Sequence, residues 1–253
     1  MKKVAEVNAL FWITKIFATT LGETGGDLLS MTLKIGYGAS SLILVGLFLT
    51  LLTVQLKSRK YHPVLFWSVI TLTLIAGTTM SDYIDRTLGL GYALGSIILI
   101  TILFAILAVW RVSERSLSVE NIRSGKVELL YWMAILFSNT LGTALGDFLA
   151  DNSGLGFMGG AFLIGGLLII VLMTYYWTNI SRVFLFWAAF ILTRPFGATF
   201  GDVLTKTQEK GGLDLGTLGS SAFFVSMLII LVSFAAMKER QASRQLQETV
   251  AEN

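Results

Sequence analysis

The chain has 253 residues, of which 54% are hydrophobic and 14% charged, with a net charge of +3. Soluble domains carry roughly 25% charged residues, so this composition reads as that of a membrane protein. There is no cysteine and a single histidine, which excludes disulfides, thiolate metal sites and cysteine nucleophiles.

Taken in order, the chain predicts eight helical spans. The first, 8–30, carries Lys15 and Glu23, so the basic start Met1-Lys2-Lys3 is not read as a cleavable signal. Uncharged runs follow at 36–56, 63–81, 87–110, 129–146, 152–181 and 215–237, and a further span, 183–204, carries Arg194. A helix crosses a bilayer with about 20 apolar residues. Continuous rather than alternating apolar runs exclude a β-barrel. The polar segment 111–126 reads as a linker between a first half, 1–110, and a second half, 127–237, with a polar tail at 238–253.

Lysine and arginine fall mainly on one side of these spans. Thirteen of them (Lys2, Lys3, Lys57, Arg59, Lys60, Arg111, Arg115, Arg123, Lys126, Arg182, Lys238, Arg240 and Arg244) share that side. Lys34, Arg86, Lys206 and Lys210 lie on the other. The bias predicts that both termini are cytoplasmic. It also accounts for the basic balance without a nucleic-acid partner, since no basic stretch is interleaved with an aromatic platform.

One pattern, Trp–x9–Gly–x3–small–Asp, occurs four times without a slip: Trp12/Gly22/Gly26/Asp27, Trp67/Gly77/Ser81/Asp82, Trp132/Gly142/Gly146/Asp147 and Trp187/Gly197/Gly201/Asp202. Each Trp reads as an interfacial anchor. Small residues four apart let helix backbones approach closely in lipid. A turn glycine stands nine residues beyond the Asp in three copies (Gly36, Gly91, Gly156) and further on, at Gly216, in the fourth. No lysine–hydroxyl pair follows these glycines as in a phosphate loop. Two spans per copy make the copies parallel, related by an axis along the membrane normal.

The fold class is therefore an all-α membrane protein: eight transmembrane helices, in four parallel two-helix repeats arranged as two four-helix halves. Four tandem two-helix repeats, each with a Trp and a Gly-rich Asp turn, resemble a bacterial membrane-protein family known as a repeat of unknown function. The resemblance covers nearly the whole chain. It implies eight helices and a bacterial inner membrane, and carries no activity with it.

Candidate chemistry lies in the acids at membrane depth: Glu23, Asp27, Asp82, Asp147 and Asp202. Ionisable groups there face a bundle interior or a wet cavity. Asp85, Asp151 and Asp214 read instead as helix-end or interfacial acids. Lys15 and Arg194 are the buried bases, each on one helical stripe with a repeat Asp, and read as counter-charges. Thr20, Thr79, Thr140 and Thr199 are candidate supporting hydroxyls. Carboxylates and hydroxyls without histidine or cysteine suit a hard divalent cation such as Mn or Mg, and disfavour Cu, Zn or Ni. The expected function is a secondary transporter or exchanger for a cation, coupled to protons through the acid cluster, with the five acids as metal ligands if a metal is the substrate. No resident cofactor is expected. Alternatives are an acidic-ring channel, an organic-cation exporter, and a non-transporting scaffold or sensor. No Ser/His, metal-His or phosphate motif points to an enzyme.

Overall fold

A computed structural model describes residues 4–58, 60–119, 122 and 124–251. Lys2, Lys3, Arg59 and Arg123 of the charge bias lie outside the described residues. The described residues form eight long helices and no strand. They are α1 (Ala9–Asp27), α2 (Tyr37–Lys57), α3 (Pro63–Asp82), α4 (Gly91–Glu114), α5 (Gly125–Asp147), α6 (Gly156–Trp177), α7 (Arg182–Thr205) and α8 (Thr217–Ala251). Seven are long and apolar enough to cross a membrane. The eighth is α1, whose Lys15, Glu23 and Asp27 lower its apolar character.

Local chemistry sets the helix ends. Asn8, Ser124 and Ser181 cap α1, α5 and α7 by accepting from Phe11 N, Val127 N and Phe184 N, and Pro63 opens α3. The turn glycines Gly36, Gly91, Gly156 and Gly216 all have positive φ, 67–84°, which side chains disfavour. Directly after the Asp, the first three copies add a π-helical turn: Leu28–Thr32, Tyr83–Thr87 and Phe148–Asn152. Nothing in residue spacing foretold it. The connector between α4 and α5 is shorter than the expected 111–126, because α4 continues to Glu114. The tail extends α8.

The odd-numbered helices make a closed ring: α1 packs on α3, α3 on α5, α5 on α7, and α7 back on α1. Each even-numbered helix lies on the ring helix of the following repeat: α2 on α3, α4 on α5, α6 on α7 and α8 on α1. The halves 1–110 and 127–237 pack on each other: α5 packs on both α3 and α4, and α1 packs on both α7 and α8.

The Gly–x3–small pairs are the ring's seams. Gly22 meets Leu74, Gly77 meets Asn139, Gly142 meets Arg194 and Gly197 meets Thr19, the same offset in every copy. One turn on, Gly26 meets Thr78, Gly146 meets Ala198 and Gly201 meets Glu23. A Cβ on Gly22, Gly26 or Gly201 would stand only 2.8, 2.7 or 2.9 Å from its neighbour. Small residues at these contacts let the backbones of the ring helices approach closely.

The repeat tryptophans are not interfacial anchors. Trp67, Trp132 and Trp187 are buried, and Trp12 is half-buried. Eight rings form a closed chain at this end of the ring: Phe11, Trp67, Phe66, Trp132, Tyr131, Trp110, Trp187 and Phe186, with centroids 5.1–6.3 Å apart. Trp67, Trp132 and Trp187 are therefore core, and each meets rings both of its own repeat and of another.

Candidate functional site

The ring helices point every fourth residue at one another, so motif positions stack in layers. Nearest the aromatic end is Lys15. Its Nζ donates to Asn139 Oδ1 at 3.3 Å and lies 3.9 Å from the Phe190 ring centroid. Asn139 in turn donates to Thr73 Oγ1 at 2.9 Å, joining α1, α5 and α3. Lys15 and Asn139 are fully buried.

One layer on is Arg194, also fully buried. Its Nη2 reaches Glu23 Oε2 at 3.1 Å, Thr143 Oγ1 at 2.6 Å and Thr78 Oγ1. All four ring helices thus meet at one guanidinium. Its Nε and Nη1 have no hydrogen-bond partner. Pro195 follows in α7, where it removes a backbone donor, and Thr199 Oγ1 donates to its carbonyl at 2.9 Å.

The four repeat acids form the next layer, and all are buried. They are bridged in pairs. Arg86 Nε is 2.8 Å from Asp82 Oδ1, and its Nη2 is 3.4 Å from Asp147 Oδ2. Lys206 Nζ is 3.0 Å from Asp202 Oδ1 and 2.6 Å from Asp27 Oδ2. Arg86 Cζ lies 6.0 and 5.7 Å from the ring centroids of Tyr37 and Tyr92, and Tyr92 donates to Asp151 Oδ2 at 3.2 Å. Burial works against the Lys206 ammonium, but Asp202 and Asp27 outweigh it and hold its pKa above the usual lysine value. The two bases are partly exposed, at 33% and 19%, and so cap the acid layer.

Across these pairs, one carboxylate oxygen from each of Glu23, Asp147 and Asp202 lies within 4.8 Å of the others. These three could hold a metal ion. Asp27 and Asp82 stand outside that group, each tied to a bridging base.

Other candidates resolve differently. Lys15 meets an amide and not an acid, and Arg194 pairs with Glu23 and not with Asp202. The hydroxyls of Thr20, Thr79, Thr140 and Thr199 donate to carbonyls on their own helices. Thr78 and Thr143 are the hydroxyls at the charged layer. Asp85 is buried, with Oδ2 accepting from Ser81 at 3.1 Å, so it is not an interfacial acid. Asp151 and Asp214 are exposed.

The charge bias alone marks Arg86 and Lys206 only as minority-side charges. The available signal was their common offset: each stands four residues beyond its Asp, in copies two and four only.

Comparison with family models gives four consecutive matches, to residues 10–61, 65–116, 130–181 and 185–241, each described as Repeat of Unknown Function (DUF347). The chain belongs to the DUF347 family. Each DUF347 repeat holds one ring helix and the outer helix that follows it. No curated protein and no solved structure matches the chain.

Proposed function

We propose that the protein is an integral membrane carrier that exchanges a hard cation for protons at the carboxylates of its helical ring. In this reading all eight helices span a bacterial inner membrane, with the Trp end and both termini in the cytoplasm. The exposed apolar side chains of α2, α4, α6 and α8 support it, as does the basic bias at the Trp end.

The observation that carries the proposal is a charge imbalance in a buried place. Five acids, Glu23, Asp27, Asp82, Asp147 and Asp202, face four bases, Lys15, Arg86, Arg194 and Lys206. Buried Asp85 adds a further acid. Uncompensated buried charge is costly, so the site favours uptake of a proton or a cation. Carboxylate and hydroxyl oxygens suit Mn, Mg or Ca.

A carrier is favoured over an acidic-ring channel. The closed aromatic chain and the fully buried Lys15 and Arg194 side chains lie below the acids. A carrier opens to one side at a time, and those layers would be its closed side.

The test is cation-driven proton movement in proteoliposomes, read with a trapped pH dye under gradients of Mn and Mg. Asp147→Asn and Asp202→Asn should each cut the flux at least tenfold. Undiminished flux in both would remove these acids from the mechanism. Absence of flux for every cation in the wild type would overturn the carrier reading.

A further inference from the structure

The four seams of the ring are alike in their glycines but not in their charges. Arg86 ties α3 to α5, and Lys206 ties α7 to α1. The equivalent position is Met31 in the first copy and Asp151 in the third. Among the described residues, no ion pair at this layer joins α1 to α3 or α5 to α7. The acid layer is thus divided into two clamped pairs, and the division cuts across the order of the chain.

The three converging carboxylates lie across that division. Glu23 and Asp202 belong to the α1/α7 pair, and Asp147 to the α3/α5 pair. The geometry points to a ring that works as two clamped pairs, α1 with α7 and α3 with α5, joined by a divalent cation bound to Glu23, Asp147 and Asp202. This rests on the carrier reading and names its substrate class and moving parts.

Size and charge support the class. Opposite ligands of one ion stand at most twice the metal–oxygen distance apart, about 4.2 Å for Mg and up to about 5.2 Å for Ca. The three oxygens lie within 4.8 Å of one another, inside the span that an ion of Ca size can bridge. A proton would join only two of the three oxygens. Arg194 is the tethered competitor. It grips Glu23 through Nη2 alone, while its Nε and Nη1 are unpartnered. Binding would draw Glu23 from Arg194 towards the ion and bring the chain ends beyond the acid layer together, α1 towards α3 and α5 towards α7, past the glycine contacts that already hold those seams.

The absence of cysteine permits a direct test. Spin labels would be placed in pairs on introduced cysteines at Leu33, Leu88, Ser153 and Leu213, all exposed beyond the acid layer. Distances would be measured by pulsed electron resonance in nanodiscs, with and without Ca or Mg, alongside thermal stability. With Ca, pairs 33/88 and 153/213 should shorten, while 88/153 and 33/213 hold. The stability gain should vanish in Asp147→Asn. Changes in the clamped pairs, or four constant distances despite a cation-dependent stability gain, would overturn the two-pair arrangement and leave the carrier reading standing. No stability gain with either ion would remove the divalent site itself, while proton flux driven by another cation would still distinguish that failure from failure of the carrier.

Discussion

Gly142 makes room for the guanidinium at the centre of the molecule, since Arg194 Cβ and Cγ lie where its side chain would begin. Overpacking a close-packed site costs typically 1–3 kcal/mol. Gly142→Ala should therefore lower the thermal midpoint, whereas Gly46→Ala, at an open position on α2, should leave it within error. Lys206 makes a second residue-scale prediction. Its pKa is raised on folding by Asp202 and Asp27, so its contribution is fully present below the unfolded lysine value, about 10.4, and is lost only as pH rises beyond that towards the folded value. The stability deficit of Lys206→Gln should stay level from neutral pH to about 10. A deficit that faded below pH 9 would contradict the double ion pair. The repeat acids were legible as buried charges from their place at the ends of apolar runs. Their bridging bases were not, because Arg86 and Lys206 follow the spans and look like loop charges until the fold brings a second repeat alongside.

At the scale of elements, the outer helices are legible in the sequence, since each follows a long uncharged run. Two features escaped. The π-helical turns after Asp27, Asp82 and Asp147 depend on how the chain leaves the ring, not on any residue type in those segments. The aromatic layer is not legible in the sequence, because a Trp near a span end looks the same whether it faces headgroups or a neighbouring helix. Trp132 is wholly buried between Phe66 and Tyr131. Truncating a buried Trp removes both area and ring contacts, typically about 3–5 kcal/mol. Trp132→Ala should destabilise the purified protein strongly, while Trp177→Ala, at the exposed end of α6, should not; equal midpoints for the two variants would argue against an aromatic core.

For the whole molecule, the repeat motif predicts four parallel copies, and the ring follows from seams that each turn on a motif glycine at the same offset. What the motif could not give is closure. That α7 returns to α1 is visible in the contacts of Gly197 with Thr19 and Gly201 with Glu23, and in the Arg194–Glu23 and Lys206–Asp27 ion pairs. A closed ring has no privileged first repeat. A circular permutant beginning at Ser116, with a flexible Gly/Ser join from the end of α8 to Val4, should fold with nearly unchanged Tm. Such permutations succeed where ends are near and cuts fall in exposed connections. In cells, a maleimide that cannot cross the membrane should label Leu88→Cys from outside and Ser58→Cys only after permeabilisation. The reverse pattern would invert the proposed orientation.

The bed of rings at the Trp end also makes the protein its own optical probe. Five of the six indoles, all but Trp177, lie in or against it. Any rearrangement that parts those layers would shift ultraviolet emission without an added dye, and the exposed Trp177 could be replaced to darken the background.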